Sequence, residues 1–488
     1  MLNALRMVAL IGLISLSGCA IAVETTSKPN IVMIIVDDLG RQDVGVYGSD
    51  FYETPNIDQL ARTGIRYDNA YAAHARCVPS RLGIMSGNYP ARYGIPGFQD
   101  RSLGKHVLPL SATTFAEELR EAGYATTYIG KWHLGKEGGE PKYQGFDTSI
   151  MAGKAGAPPS YFFPYENSRR KSGGKGFPPY SGGDEGEYLS DRLTDEALAV
   201  IDGKDERPFL LVLAHYAVHT PIEAPEELTT KYKTKAKGMG LSMEKDADIV
   251  IDGTGQTKTQ QNHPVYAAMI ESVDTNVGRI MARLEETGHR ANTVVIITSD
   301  HGGLSSRGLD SNRELATTNL PYRHGKGWLY DGGIRVPLIV NWPDGIETSA
   351  TNDMRTTGTD HYATILDIAG IESRETGPVD SVSYWPTFSG ETPDRPPMFW
   401  HSSLGRPTQT GDTRSSAVRD GQWKLIQWYS LENEEVLRVE LFDLDSDPGE
   451  RNNLADKHPE TRARLETMLD EWKDDVNARL GRFKAGGV

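Results

Sequence analysis

Residues 29–38 read Pro29-Asn30-Ile31-Val32-Met33-Ile34-Ile35-Val36-Asp37-Asp38. Six apolar residues stand in a row, and five of them are β-branched. An uninterrupted run of that length suits a strand buried on both faces, the kind found in parallel sheets covered by helices. Similar runs follow at 208–214 and 293–298, with less uniformly apolar ones at 125–130 and 336–342. Between them, residues 55–64, 113–123, 189–202, 263–288 and 360–370 carry helical periodicity. Strands alternating with helices predict an α/β fold: a large mixed, mostly parallel sheet sandwiched by helices. Beyond residue 385 the pattern changes. Residues 415–418, 423–428 and 438–443 are short strands between turns, and 457–482 is a charged helix. They predict a small C-terminal subdomain with an antiparallel sheet and one helix.

The 488 residues are 38% hydrophobic and 8% aromatic, which excludes a wholly disordered chain. A formal net charge of −15 argues against nucleic acid as a partner. It does not bear on small anions, which respond to the field inside a cleft. Two cysteines, Cys19 and Cys77, exclude a disulfide-stapled mini-protein.

In residues 1–18, Arg6 precedes an apolar run from Met7 to Leu16. The run is too short to span a bilayer and has the layout of a signal peptide. Leu16-Ser17-Gly18-Cys19 resembles a lipoprotein signal, cut before the cysteine, which then receives lipid. The alternative is an ordinary secretory signal cut near Ala22. The first reading predicts an exported protein, periplasmic or at the cell surface, anchored to a membrane through Cys19, with residues 19–29 as a tether. Cys77 is then a lone exported cysteine: a reactive thiol, a modified residue or a core residue.

Ligand sites in open α/β sheets lie beyond the carboxyl ends of the strands. The first strand runs into Asp37-Asp38, and the 293–298 strand into Ser299-Asp300-His301-Gly302-Gly303. The 125–130 strand runs into Lys131-Trp132-His133, and the 208–214 strand into His215 and then His219-Thr220-Pro221. One Asp-Asp pair alone would be a turn or a cap. Two acidic clusters at two strand ends instead suggest a divalent cation, because adjacent carboxylates repel unless a cation neutralises them. Calcium favours an oxygen-rich set; His301 is an unusual ligand for it and leaves magnesium open.

Cys77-Val78-Pro79-Ser80-Arg81 comes next. Pro79 suits the first turn of a helix, which puts Cys77 at an N-terminus that favours anions. Arg81 adds a fixed positive charge. A nucleophile for an anionic ester fits such a place, and a buried free cysteine is the alternative.

Cys77-x-Pro79-Ser80-Arg81 with Gly87 downstream resembles the signature of the type I, formylglycine-dependent sulfatases, arylsulfatase-like members of the alkaline phosphatase superfamily. The resemblance continues through Gly130-Lys131-Trp132-His133, His219-Thr220-Pro221 and Gly325-Lys326-Gly327, and on to Leu441-Phe442-Asp443-Leu444. It implies a sulfuric ester hydrolase whose cysteine is oxidised by a formylglycine-generating enzyme to 3-oxoalanine (formylglycine), the hydrate of which is the nucleophile. By position, Asp37, Asp38, Asp300 and His301 would hold one divalent cation, usually calcium, with the modified Cys77 completing the shell. Many relatives carry Asn where His301 stands. Arg81 would hold the hydrated aldehyde, and Lys131 and Lys326 the sulfate oxygens. His219 would serve the leaving oxygen, and His133 the release of sulfate. Residues 30–385 would form the catalytic domain and 386–488 the C-terminal subdomain.

The expected substrate is a sulfated carbohydrate, of algal carrageenan or ulvan type or a glycosaminoglycan. Two long polar loops, 151–188 and 302–327, could contact it, since arginines pair with sulfates and carboxylates. Candidate contacts are Arg169, Arg170, His215, Arg323 and His324, with Arg307 and Arg313 beside them. A solvated loop is the alternative. Rival readings are a phosphonate monoester or phosphodiester hydrolase and a small aryl sulfatase. The intact Cys77 motif argues against a non-catalytic glycan binder.

Overall fold

The computed structural model describes residues 28–94, 108–135, 138–166, 177–178, 180, 182–347, 349–375, 377 and 379–480. The export segment, Cys19, Arg169 and Arg170 lie outside them.

The apolar runs form the centre of an eight-stranded sheet. Asn30–Val36 pairs in parallel with Phe209–His215 on one side and Thr293–Ser299 on the other. Ala125–Gly130 and Thr148–Ile150 extend the first side, also in parallel. On the other side Leu338–Asn341 runs antiparallel, followed by Ile65–Tyr67 and Ala350–Asn352. The period of two along each strand splits the core. Val32, Ile34, Leu211, Leu213, Val295 and Ile297 face helices Leu189–Ile201 and Pro264–Glu286. Ile31, Met33, Ile35, Leu210, Val212 and Ile296 face helices Cys77–Ser86, Phe115–Glu121 and Asp360–Ala369. Both faces are covered, so no polar residue interrupts the apolar run of the central strand.

The strands Met398–Ser402, Ser415–Asp420, Trp423–Tyr429 and Val436–Asp443 form an antiparallel sheet in chain order. One face packs Trp400, Ile426, Trp428 and Phe442 against Trp328, Tyr330 and Ile334, just after Lys326. The other takes Leu465, Leu469 and Trp472 of helix Pro459–Asp475. That helix is shorter than the 457–482 expected from sequence. Its start is set by Pro459, whose fixed φ and missing N–H suit the first helical position. Its end is marked by Asn477, which takes φ 51°.

Several elements escape a sequence reading. Met398–Ser402, Thr148–Ile150 and the small sheet of Ile249–Asp252, Gly255–Lys258 and Ser306–Gly308 are short or polar. Helix Glu226–Gly238 is lysine-rich and buries only Thr229, Tyr232 and Ala236.

His361, in the first turn of helix Asp360–Ala369, is buried with Nδ1 2.9 Å from the Tyr384 hydroxyl. Burial pushes it down to about 4 from its ordinary 6.5. The unfolded chain therefore takes up a proton that the fold refuses. The contribution is full above pH 6.5 and is lost as the pH falls through 4, amounting to about 3 kcal/mol. His361→Gln is expected to flatten the fall of the urea midpoint between about pH 7 and 4.5. An unchanged pH slope would show that His361 contributes nothing to it.

Candidate active site

The register aligns the carboxyl ends of the central strands. Val36 lies opposite both His215 and Ser299, and Gly130 opposite Ala214. Asp37, Asp300 and Lys131, each one residue further on, therefore emerge side by side. Helix Cys77–Ser86 brings its first residue to the same edge.

Arg81 organises the floor. Its Nε donates to Asp300 Oδ2 at 2.8 Å and its Nη1 to the Lys131 carbonyl at 2.6 Å, while Nη2 lies 3.7 Å from Asp37 Oδ1. Lys131 pairs with Asp37, and Lys326 Nζ donates to Asp38 Oδ1 at 2.6 Å. His301 Nε2 is 3.1 Å from Cys77 Sγ and 3.3 Å from Asp38 Oδ1. His133 hydrogen-bonds the Cys77 sulfur. His219 Nε2 stands 3.8 Å from Asp38 Oδ2. All the residues proposed from sequence for catalysis and metal binding thus meet in one buried cluster.

Two of them hold uncommon backbone. Asp38 has φ 65° and His133 φ 62°. Non-glycine residues rarely adopt this region, and it persists where the surroundings impose it. Beside His133 the chain has Gly156, where a Cβ would fall 2.3 Å from the imidazole.

The electrostatics favour an anion at position 77. Burial alone would raise the Cys77 thiol, but Lys131, Lys326 and His301 hold it well below its ordinary value. Burial, reinforced by Asp300, pushes Asp37 up. Burial works the same way on Asp38, yet His219, Lys326 and His301 overcome it and lower that group. His219 falls to about 3, mainly by burial and then by repulsion from the two lysines, against the pull of Asp38.

The donor set fits a metal ion. Ligand atoms of Asp37, Cys77, Asp300 and His301 lie within 4.8 Å of one another, as do those of Asp37, Asp38, Cys77 and His219. Asp37 Oδ1 and Asp38 Oδ2 are buried without a hydrogen-bond partner among the described residues. His301 Nδ1 lies 3.0 Å from the Gly302 carbonyl, so it keeps its proton and Nε2 is the nitrogen that would meet a cation in place of a second proton.

The weaker substrate candidates lie elsewhere. Arg323 is committed to Asp252 at 2.5 Å and to the Glu450 carbonyl at 3.2 Å, where it ties the two lobes together. His324 stacks on Trp328 with centroids 3.8 Å apart, and its Nδ1 meets Thr257 and Ser306 at 3.0 and 3.1 Å. Both side chains are held by the protein's own residues in this structure. His215 is buried at its strand end, with neither ring nitrogen hydrogen-bonded among the described residues. Sequence reasoning misses Arg76, which pairs with Asp412 of the C-terminal subdomain at 2.6 Å. Its position before Cys77 is the only signal.

A buried cluster of carboxylates, lysines and a cysteine at the carboxyl edge of such a sheet is the kind of site that takes an anionic ester. The sulfatase family profile matches residues 29–371, and the C-terminal N-sulphoglucosamine sulphohydrolase profile matches 323–475. The chain belongs to the sulfatase family, and is a type I sulfatase, a sulfate ester hydrolase. It is 28% identical to the N-acetylgalactosamine-6-O-sulfatase of Bacteroides thetaiotaomicron, over 97% of this chain and 100% of the relative. It is 26% identical to the N-acetylglucosamine-6-O-sulfatase of the same organism, over 95% and 90%. The solved structure of Ps i-CgsB in complex with k-i-k-neocarrahexaose superposes with a TM-score of 0.74 at 27% identity, covering 94% of this chain and 96% of that one. No helix among the described residues is long and apolar enough to cross a membrane.

Proposed function

We propose that this enzyme hydrolyses sulfate esters on a carbohydrate, with Cys77 matured to formylglycine by a formylglycine-generating enzyme. The observation that carries the reading is the placement of Cys77. It begins a helix within a cluster of buried carboxylates and cations that lowers its thiol. The relatives named for hexosamine 6-sulfates, and the neighbour solved with a carrageenan oligosaccharide, support a sulfated glycan as substrate.

Asp37, Asp38, Asp300 and His301 would hold one divalent cation, calcium by preference, which supplies Lewis-acid polarisation of a sulfate oxygen when bound. Once formed, the hydrated aldehyde would supply one hydroxyl for attack and a second through which sulfate could leave by C–O cleavage. The remaining steps belong to the chain's own side chains. Arg81, locked by Asp300 and the Lys131 carbonyl, orients the oxygens at position 77. Lys131 and Lys326 offset the repulsion between an anionic ester and an anionic nucleophile. His219 Nδ1 lies 2.7 Å from the Thr220 carbonyl, so this nitrogen carries the first proton. Nε2 faces the site, where the negative charge of a bound sulfate ester would favour the second proton that His219 then passes to the leaving alcohol. His133, beside the sulfur, takes the proton whose loss opens the way to sulfate release.

Residues 30–385 act as the catalytic unit in this reading, and 386–488 pack against it as the C-terminal subdomain. The signal-like residues 1–18 support export, with a lipid anchor at Cys19; the mass of the mature N-terminal peptide tests that assignment. The reaction class is tested by turnover of matched sulfate and phosphonate monoesters. A higher kcat/KM for the sulfate ester is expected. A preference for the phosphonate would transfer the chain to the phosphorus-ester reading.

A further inference from the structure

His219 comes to the cluster on the turn that follows strand Phe209–His215, so its aim depends on what holds that turn. The turn closes on itself, with the His219 N–H donating to the Tyr216 carbonyl at 3.1 Å. Its middle is tied to Asp37. The Asp37 N–H donates to the Ala217 carbonyl at 2.9 Å, and the Val218 N–H to the Asp37 carbonyl at 2.7 Å. The imidazole is held at Nδ1, 2.7 Å from the Thr220 carbonyl. That leaves the carbonyls of Tyr216 and His219, the two ends of the turn. Both meet one group, the Tyr161 hydroxyl, at 2.6 and 2.9 Å.

Tyr161 is wholly buried, and burial pushes its phenol well above the ordinary 10. The oxygen therefore keeps its hydrogen and stays a donor at any working pH. Among the described residues no other donor reaches the His219 carbonyl. The tyrosine is itself fixed on three sides. Its N–H donates to Glu223 Oε2 at 2.9 Å, an oxygen that also accepts from Ser160 Oγ at 2.9 Å. Its carbonyl accepts at 2.8 Å from the N–H of Leu189, which opens helix Leu189–Ile201. Its ring stacks on Tyr188, with centroids 5.8 Å apart and planes at 28°. The Tyr188 hydroxyl in turn donates to the Glu223 carbonyl at 2.9 Å. Segment 216–223 is thus clamped at both ends by the same stacked pair of tyrosines.

Proton transfer is demanding about position. The donor must lie within hydrogen-bond reach of the leaving oxygen, and a misplacement of about 1 Å can cost about 10²-fold in rate. A carbonyl left without a partner away from water is costly. Without the Tyr161 hydroxyl, the His219 backbone would relax towards another donor and carry the imidazole with it. The bonds to Asp37 would not prevent this, because they hold residues 217 and 218 and not residue 219.

We propose that Tyr161 is a positioning residue for proton transfer: its hydroxyl, bridging the Tyr216 and His219 carbonyls, sets the turn that aims the His219 imidazole at the leaving oxygen. The inference rests on the assignment of His219 to the leaving alcohol. It gives an inward-facing task to the 151–188 loop, whose polar composition suggests only contact with substrate.

Tyr161→Phe removes one oxygen and keeps the ring in the core. The test compares the wild-type enzyme, Tyr161→Phe, His219→Gln and the double variant on p-nitrophenyl sulfate, phenyl sulfate, and carrageenan and glycosaminoglycan oligosaccharides. Tyr161→Phe is expected to lower kcat/KM by about 10–100-fold on phenyl and sugar sulfates and by less than about threefold on p-nitrophenyl sulfate, whose leaving group needs no proton. The double variant should lose no more than His219→Gln alone, because Tyr161 acts through that imidazole. Tyr188→Phe removes a neighbouring hydroxyl that does not touch residue 219, and any loss it causes should be the same on all esters. Unfolding midpoints check that each variant is folded. Equal losses on all esters in Tyr161→Phe, no loss, or additive losses in the double variant would overturn the proposal. Equal losses in His219→Gln would instead remove the proton-transfer reading of His219, and the inference with it. Absence of wild-type turnover on every ester would remove the sulfatase reading that underlies both.

Discussion

Cys77→Ala is expected to reduce turnover of any sulfate ester by about 10⁴–10⁶-fold, the scale on which removal of a covalent nucleophile acts. The fold should survive. Cys77 is one small buried residue, and its helix is held by Val78, Leu82 and Ile84 in the core. Removing the sulfur also relieves the cluster of one anion, because Lys131, Lys326 and His301 hold that thiol low. Cys77→Ser distinguishes a hydrated aldehyde from a simple nucleophile. The introduced hydroxyl has no partner hydroxyl through which to expel sulfate. A rapid release of up to one equivalent of alcohol, without sustained sulfate production, is therefore expected in a quenched-flow experiment. Steady turnover by Cys77→Ser would show that an ordinary hydroxyl suffices at this position.

His219→Gln should lower kcat/KM by about 10²–10⁴-fold on a sugar sulfate and far less on p-nitrophenyl sulfate. The difference follows from the leaving groups. A sugar alkoxide must be protonated as the S–O bond breaks, whereas p-nitrophenolate leaves without help. His219 is placed for that task by the Thr220 carbonyl on Nδ1 and by Asp38 near Nε2. Glutamine keeps a hydrogen-bonding group in the space but cannot deliver a proton. Equal losses on both esters would assign His219 to sulfate binding and not to proton transfer.

Much of this site is legible because its residues follow apolar strands. A run such as Ile31–Val36 suits only a buried strand, and the strand fixes where Asp37 emerges. The parallel register then places Asp300 and Lys131 beside it. Lys326 is legible only from its motif, since a loop and not a strand delivers it. Charge on a loop says little about its partner. Arg323 and Asp252 are 71 positions apart, and nothing in the local sequence announces their ion pair. Arg76 and Asp412 are 336 positions apart, so the approach of the C-terminal subdomain to the site has no local signature. The left-handed backbone of Asp38 and His133 is likewise imposed by the tertiary structure, because neither residue type demands it.

The central claim is that this cluster uses a matured Cys77 to remove sulfate from a glycan. Its most direct test is inorganic sulfate release from a panel of carrageenan, ulvan and glycosaminoglycan oligosaccharides. The enzyme is co-expressed with a formylglycine-generating enzyme, and the peptide mass at Cys77 is recorded in the same preparation. The account predicts release from at least one glycan, in proportion to the aldehyde content and abolished by Cys77→Ala. A preparation with full aldehyde at Cys77 that frees no sulfate from any of them would contradict it.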